Sequence, residues 1–145
     1  MLNNLGFLII RAYGSKNFIL RQPHLFVPAL HIPFAVKKNP LVKKQQVIAV
    51  SPIIQGKTVK GPAAKMAREL GLEASSAGVL GHYADFVDGF IYDQLDGDIF
   101  TSDAYPGIIK KAINTIMKND EDKLRLAIET LKLGEFLINN THHHD

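Results

Sequence analysis

The chain has 145 residues, of which 46% are hydrophobic and 21% are charged, and its formal net charge at pH 7 is +3. These values fit one globular domain with its own core, and the small net charge gives no general signature of nucleic-acid binding. The chain contains no cysteine, which excludes disulfides and thiolate chemistry and agrees with a reducing cytoplasm. No apolar run reaches the length of about 20 residues that a membrane-spanning helix needs. We therefore expect a cytoplasmic protein without nucleic-acid or membrane partners.

Residues 1–46 differ in composition from the rest of the chain, because they carry lysine and arginine but no aspartate or glutamate. Prolines at positions 23, 28, 33 and 40 argue against long helices and against a central strand in this part. An acid-free start with arginine also resembles an organellar targeting peptide, but this one is poor in serine and rich in proline. We interpret residues 1–46 as a basic, proline-containing N-terminal arm that packs on the domain or on a partner.

A strand followed by a loop and a helix is predicted from Val47 onwards. The apolar run Val47–Val50 is rich in β-branched residues, which is typical of an interior strand of a parallel sheet. A helix is expected from Pro62, because proline suits the first helical position and Gly71 can close the helix. The apolar residues of this helix are spaced at i, i+3, i+4 and i+7: Ala63, Met66, Ala67 and Leu70.

The intervening loop is basic, contains glycine and leads to a predicted helix N-terminus, which is a common arrangement for holding anions. Its candidate phosphate-binding residues are Ser51, Lys57, Lys60 and Gly61. The loop approaches the Walker A pattern, but Ser51 stands where that pattern requires glycine. Residues 59–62 also separate Lys57 from the helix, whereas a P-loop continues directly into its helix. We therefore predict a phosphate-binding loop other than a P-loop, and a solvated connection with surface lysines is the alternative.

A second strand is predicted at Phe90–Tyr92, and Asp93 ends it. A carboxylate at the carboxyl end of a strand in an open α/β sheet lies where ligands bind, so Asp93 is the acidic candidate. The acids that follow lack the spacing of a calcium-binding EF-hand and are interpreted as a solvated loop: Asp96, Asp98 and Asp103. Between the first helix and this strand, Gly78 and Gly81 weaken the prediction of a second helix.

Residues 107–117 predict a further strand or strand–helix connection, which includes Asn114 and Thr115. A helix follows, with Asn119 or Asp120 as its N-terminal cap, and is expected to run to Leu137. Its predicted core face is spaced at i, i+3, i+4 and i+7: Leu124, Ala127, Ile128 and Leu131. Residues 139–145, which contain three consecutive histidines, are expected to form a disordered tail.

The order of these elements indicates the α/β class, with a mainly parallel sheet and flanking helices in a domain of residues 47–138. Binding groups are expected at the carboxyl ends of the strands. An anion pocket beside acidic residues is compatible both with phosphoryl transfer and with nucleotide binding alone.

Several separate stretches of the chain resemble the 2-phospho-L-lactate transferase family. They are residues 51–66, 68–71, 83–90, 114–119 and 121–123. The likeness extends over about residues 47–137 and is to the C-terminal half of the family. It implies a Rossmann-like fold that is only partly present in this chain.

The resemblance also implies a reaction. A phospholactyl or phosphoenolpyruvyl group moves from a guanosine diphosphate-linked donor to the deazaflavin FO in coenzyme F-420 biosynthesis, with magnesium required and GMP released. Lys57 and Lys60, with backbone N–H groups near Gly61, would hold the diphosphate, and Asn114 and Thr115 would lie beside the cleft.

The family's glycine-rich opening and its acidic residues have no match in residues 1–46, so no metal ligand is assigned to this chain. Besides the guanylyl donor and FO, the implied partners are a second copy of the chain or a missing N-terminal half. The alternative function is a truncated, non-catalytic module for nucleotide or phosphate binding or for assembly.

Overall fold

The computed structural model describes residues 8–13, 17–21, 46–58, 63–69, 71–85, 87–97, 99–100 and 104–141. Within these residues the strands are β1 (Leu8–Tyr13), β2 (Asn17–Arg21), β3 (Val47–Val50), β4 (Ile53–Ile54), β5 (Lys57–Thr58), β6 (Gly89–Asp93) and β7 (Ile109–Ile113). The α-helices are α1 (Ala63–Glu69), α2 (Ser76–Tyr83) and α3 (Asp120–Thr141), and a short 3-10 turn spans Gln94–Asp96. None of the described helices has both the length and the apolar character needed to cross a bilayer.

Five of these strands form one sheet in the order β2-β1-β3-β6-β7. Strands β3, β6 and β7 run parallel to one another, with Ile48 opposite Gly89 and Gly89 opposite Ile109. Strand β1 runs antiparallel to both of its neighbours, β2 and β3. The predicted α/β class, with a parallel sheet, flanking helices and a partial Rossmann-like fold, is confirmed.

Strand β3 lies between β1 and β6, which confirms its predicted interior position. Its side chains are all buried, and they alternate between two cores on opposite faces of the sheet. Val47 and Ala49 belong to the core that contains residues of α1 and α2, and Ile48 and Val50 belong to the core that contains residues of α3. Burial on both faces explains why this run shows no alternation of apolar and polar residues.

Helix α3 covers one face of the sheet and approaches it closely at Gly89 in β6. A Cβ atom at Gly89 would lie 3.0 Å from Leu137 Cδ1 and 3.2 Å from Leu133 Cδ2. The opposite face is covered by α1 and α2, which contribute Ala67, Val79 and Leu80 to its core. The sheet is thus the middle layer of an α/β/α arrangement.

The buried face of α3 differs from the predicted one. The side chains that it buries are those of Leu126, Thr130, Leu133 and Leu137. By contrast, Leu124 is 61% exposed and Ile128 is 41% exposed. The predicted and the observed apolar faces have the same kind of spacing, and they are displaced by two positions, or about 200° around the helix. Spacing alone therefore does not show which face is buried. Thr130 can be buried because its hydroxyl donates to the Leu126 carbonyl at 2.6 Å, which satisfies the polar group.

Residues 76–83 form a helix, although two glycines weakened its prediction. Ser75 caps this helix, because its side chain accepts a hydrogen bond from the Gly78 backbone nitrogen at 3.0 Å. A Cβ atom at Gly78 would come within 2.1 Å of the Glu73 carbonyl oxygen, and one at Gly81 would lie 3.0 Å from the Tyr105 hydroxyl. Both glycines therefore serve close approach to a neighbour, and they do not end the helix.

The prediction that residues 1–46 lack a central strand is wrong for residues 8–13, because β1 pairs on both of its edges. The prolines of residues 1–46 lie outside β1 and β2, so they remove no backbone N–H donor from these two strands. The division of the chain at residue 46 stays a prediction. At the other end, α3 continues to Thr141, so residues 139–141 of the predicted tail are helical, and residues 142–145 lie outside the described part.

Candidate functional site

Four of the predicted site residues lie at the carboxyl ends of the parallel strands. Ser51 follows β3, Asp93 ends β6, and Asn114 and Thr115 follow β7. The carboxyl ends of parallel strands meet at one edge of the sheet, which is the usual location of ligand sites in this class. Backbone pairing holds this edge together, because the Ser51 nitrogen donates to the Ile91 carbonyl at 2.8 Å.

Asp93 is only 1% exposed, and both oxygens of its carboxylate are engaged. Oδ1 accepts a hydrogen bond from the Leu95 nitrogen at 2.9 Å. Oδ2 accepts from the Thr115 nitrogen at 2.7 Å and from the Thr115 hydroxyl at 2.9 Å. These bonds satisfy a buried charge and join the end of β6 to the segment after β7. The predicted pair Asp93 and Thr115 is therefore brought together, and its contacts in this structure are internal.

Ser51 is part of a buried network of hydroxyl groups that the sequence did not indicate. Its Oγ lies 2.8 Å from Ser76 Oγ, and Ser76 Oγ donates to Asp96 Oδ2 at 2.6 Å. The Ile53 carbonyl is a second acceptor for both hydroxyls, at 3.1 Å from Ser51 Oγ and 2.9 Å from Ser76 Oγ. With the single proton of Ser76 directed to Asp96, Ser51 donates either to Ser76 or to the Ile53 carbonyl. The network connects the segment after β3 with the first turn of α2 and with the 3-10 turn.

Asp96 is half-buried and is not the solvated loop residue that was predicted. Its Oδ1 accepts a hydrogen bond from the Gln55 nitrogen at 2.6 Å, and its Oδ2 accepts one from Ser76. Gln55 and Asp96 are 41 positions apart, so no local pattern indicates this contact. The other acids of that predicted loop, Asp98 and Asp103, lie outside the described residues.

The predicted phosphate-binding loop begins as a tight β-hairpin. Strands β4 and β5 pair antiparallel, with Ile54 opposite Lys57. The turn between them has positive φ angles at Gln55 (50°) and Gly56 (73°), as in the type I′ turns that favour glycine at the second position. Lys57 and Thr58 therefore lie in a strand, which excludes a Walker A loop because that motif opens a helix.

The hairpin is attached to the rest of the molecule on two sides. At its turn, Gln55 is bound to Asp96, and Arg68 of α1 donates from Nη2 to the Gly56 carbonyl at 3.3 Å. The side chain of Lys57 is exposed at this hairpin. Lys60 and Gly61, the other predicted phosphate ligands of this segment, lie outside the described residues.

Comparison with known proteins identifies relatives for a large part of the chain. It is 42% identical over 99 residues to a 2-phospho-L-lactate transferase of Methanosarcina barkeri, covering 68% of this chain and 32% of that protein. The corresponding protein of Methanocaldococcus jannaschii is 38% identical over 87 residues, covering 60% of this chain and 27% of that protein. This chain is related to the 2-phospho-L-lactate transferases. The predicted resemblance is thereby confirmed.

A longer match is found to a phosphoenolpyruvate transferase of Streptomyces coelicolor, 31% identical over 137 residues, covering 88% of this chain and 41% of that protein. No family model matches the chain. The chain spans about a third of the length of the 2-phospho-L-lactate transferases it matches. The activity of a whole transferase is for that reason a proposal for this chain.

Two predicted site residues have exposed side chains: Lys57 on the β4–β5 hairpin and Asn114 at the edge of the sheet. Asn114 Oδ1 accepts from the Ile116 nitrogen at 3.0 Å, which forms an Asx turn and leaves the amide Nδ2 as a donor that faces no partner in the described part of the chain. The nearby lysines of β7 are engaged. Lys110 donates to the carbonyls of residues 104 and 105, and Lys111 lies 2.8 Å from Glu129.

The ionisable groups with raised pKa values lie away from this edge. Burial in the core raises the pKa of Tyr83 to about 12. Asp88 precedes β6 at the amino end of the strand, and burial raises the pKa of its carboxyl while a hydrogen bond from the Val47 nitrogen opposes the rise. Perturbed pKa values often mark functional sites, but these two raised values result from burial of Tyr83 and Asp88 in the fold.

The acids at the edge do not fit the magnesium ion that the transferase resemblance implies. Magnesium prefers carboxylate oxygens together with water molecules, but the oxygens of Asp93 and Asp96 all accept hydrogen bonds within the chain. Among the residues that the structure describes, no group of three or more histidines and acids converges on one point. We therefore assign no magnesium ligand to these residues.

Proposed function

We propose that this chain forms one side of the substrate site of a transferase that moves a phospholactyl or phosphoenolpyruvyl group. The observation that carries the proposal is the edge of the sheet at which Ser51, Asp93 and Thr115 are fixed, together with the hairpin that carries the exposed Lys57 and is bound to Asp96 through Gln55. Ligand sites of α/β proteins lie at this edge. The names of the relatives, 2-phospho-L-lactate transferase and phosphoenolpyruvate transferase, supply the group that is transferred.

In the finer form of the proposal, the donor is linked to guanosine diphosphate and the acceptor is a hydroxyl of FO. The hydroxyl oxygen forms a bond to the phosphorus of the transferred group, and the bond between that phosphorus and the bridging oxygen breaks. GMP leaves with the bridging oxygen, and the hydroxyl proton is released to solvent. Such reactions depend mainly on positioning and on neutralising phosphate charge. Lys57 would neutralise the diphosphate from the hairpin, together with Lys60 and the backbone near Gly61.

The buried residues of the edge have a different role from the exposed ones in this proposal. Ser51, Asp93 and Thr115 keep the strand ends and the hairpin in fixed positions, because their polar groups bind within the chain. Asn114, with an amide donor that faces outward, is suited to contact the donor's phosphates or the acceptor. Rigid support of this kind is what a site needs for accurate positioning.

In this proposal magnesium would accompany the donor's phosphates, and none of the described residues is assigned as its ligand. When bound, it would supply further neutralisation of the diphosphate charge. No step of the transfer is assigned to a metal ligand of this chain.

A second candidate function is a non-catalytic module for binding nucleotide or phosphate or for assembly. The specific observation in its favour is that every described acid at the edge is engaged within the chain. Among the described residues of this edge, no acid is therefore unengaged and ready to take the proton of an attacking hydroxyl.

Calorimetric titration with GDP tests the proposed site. The wild-type chain is expected to bind GDP, and Lys57→Met to bind it at least about tenfold more weakly, because a charge-assisted contact contributes about 1.5–3 kcal/mol. Lys132→Met is the matched control, since Lys132 is another exposed lysine, paired with Glu129 on α3. If wild type and Lys57→Met bind GDP with equal affinity, Lys57 does not contact the nucleotide. If wild type does not bind GDP, the proposed nucleotide site is wrong.

A further inference from the structure

Helix α3 carries two apolar stripes, and the sheet covers only one of them. The uncovered stripe, called the outer stripe here, consists of Leu124, Ile128 and Leu131. Leu124 and Ile128 are 61% and 41% exposed, and Leu131 is half-buried. A helix that is apolar on two opposite sides is typical of a helix buried between two layers. The outer stripe therefore has the character of a contact surface.

An acidic residue lies at each end of the outer stripe. Glu121, Leu124, Ile128, Leu131 and Glu135 follow one another at intervals of three, four, three and four residues. This is the heptad spacing of a seam between two helices. Both glutamates are exposed, and neither forms an ion pair with any residue in the described part of the chain.

The positions of these acids argue against a second copy of α3 as the covering element. An antiparallel pair of α3 helices centred on Ile128 would place Glu121 opposite Glu135, and a parallel pair would place each glutamate opposite itself. Like charges at such positions oppose helix pairing. A helix with lysine or arginine at the corresponding positions would meet the acids with opposite charge.

We propose that the outer stripe binds an amphipathic helix whose apolar stripe is flanked by basic side chains, and that polypeptide outside this chain supplies this helix. The matched transferases are about three times as long as the segment that aligns with this chain, so those proteins contain additional polypeptide from which such a helix can come. The spacing, the exposure and the charge of the outer stripe make it the surface for such a contact. The contact is independent of whether the sheet edge binds GDP.

Two synthetic helical peptides test the proposal with the full chain. They have the same leucine heptad stripe, which is flanked by lysine in one peptide and by glutamate in the other. Fluorescence anisotropy is expected to show at least tenfold tighter binding of the lysine-flanked peptide. The double variant Glu121→Gln, Glu135→Gln should reduce this preference to less than threefold, because the preference depends on the two charges.

Ile128→Lys is expected to weaken binding of the lysine-flanked peptide at least tenfold without a change in helix content by circular dichroism, since this side chain faces solvent. Leu95→Lys is the control, because Leu95 is an exposed apolar residue in the 3-10 turn and not in α3, and its substitution should leave binding unchanged. The proposal is overturned if neither peptide binds, or if both bind equally to wild type. It is also overturned if the free chain sediments as a dimer that Ile128→Lys converts to a monomer, since a second copy then covers the stripe.

Discussion

The carboxyl-end edge of the sheet consists of a closed part and an open part. In the closed part, the side chains of Ser51, Asp93 and Thr115 are buried, and their polar atoms bind to other atoms of the chain. In the open part, Lys57 and Asn114 have side chains exposed to solvent. The same edge thus contains residues that can only support a site and residues that can contact a ligand.

This difference shows why residue type and position in the sheet do not determine a residue's role. Asp93 occupies the position in which α/β proteins often bind ligands, but three hydrogen bonds use its carboxylate. Lys57 lies on a hairpin outside the main sheet, but its charge is accessible. Substitutions in the closed part should therefore change the stability of the fold, and those in the open part should change binding.

The largest effect is expected from Asp93→Ala. This substitution leaves the buried donors of Thr115 without an acceptor, and each unsatisfied buried group costs about 1–3 kcal/mol. Urea unfolding is expected to show a loss of about 3 kcal/mol or more in the free energy of unfolding. Asn114→Ala in the open part is the control and should change stability by less than about 1 kcal/mol. Equal effects of the two substitutions would contradict the division of the edge.

A smaller loss is expected from Ser76→Ala. The substitution removes the hydroxyl that donates to Asp96 and contacts Ser51, which should lower the free energy of unfolding by about 1–3 kcal/mol. Gln94→Ala, in the exposed start of the same 3-10 turn, should change it by less than about 0.5 kcal/mol. If Ser76→Ala is as stable as wild type, the hydroxyl network does not hold the hairpin in place.

Local patterns predicted correctly the elements whose burial follows directly from their own sequence. The run Val47–Val50 is apolar throughout because both faces of β3 are covered, and Asp93 ends β6 as expected. Helix α3 was predicted as an element, but the face that it buries was not, because Leu124 and Leu126 start stripes of the same spacing. The packing of α3 on the sheet determines which stripe is buried. This packing depends on contacts between residues that are far apart in the sequence, so a local pattern does not reveal it.

The closed part of the site shows the same limit. Ser76 and Asp96 were not predicted as site residues, because their contacts join segments that are far apart in the sequence. The one local signal was the pair Ser75 and Ser76 at the start of α2, which fits a helix cap. Gly78 weakened the helix prediction, because glycine has a low helix propensity. In the structure Gly78 allows the close approach of Glu73, and helix propensity takes no account of such a contact.

In the open part, Lys57→Met should leave the stability of the ligand-free chain within about 0.5 kcal/mol of wild type, because exposed charges contribute little to folding. Thermal unfolding with and without GDP separates the two roles. GDP is expected to raise the melting temperature of wild type, since a ligand that binds only the folded state stabilises it, and to raise that of Lys57→Met much less. If the ligand-free variant is less stable than wild type, Lys57 supports the fold and belongs to the closed part.

The smallest effect is expected where the contacts face solvent, at the ion pairs of Glu129, of which one joins α3 to β7 and the other lies within α3. Glu129 lies 2.8 Å from both Lys111 and Lys132. The hydrogen bond from Lys111, followed by that from Lys132, lowers the pKa of Glu129 from 4.5 to about 2. A carboxylate with a lowered pKa in the folded state stabilises the fold above the pKa of the unfolded state, and this contribution is lost as the pH falls through the folded-state value.

The stabilising effect of Glu129 should therefore be complete above about pH 4.5 and should decline between about pH 4.5 and 2. Glu129→Gln lacks the titrating group, so the difference in unfolding free energy between wild type and this variant should shrink over that range. Because solvent screens such pairs, the difference should also shrink in high salt at neutral pH. Glu135→Gln, at an exposed glutamate outside these ion pairs, is the control. A pH dependence of the same size in both variants would show that the ion pairs do not fix α3 to β7.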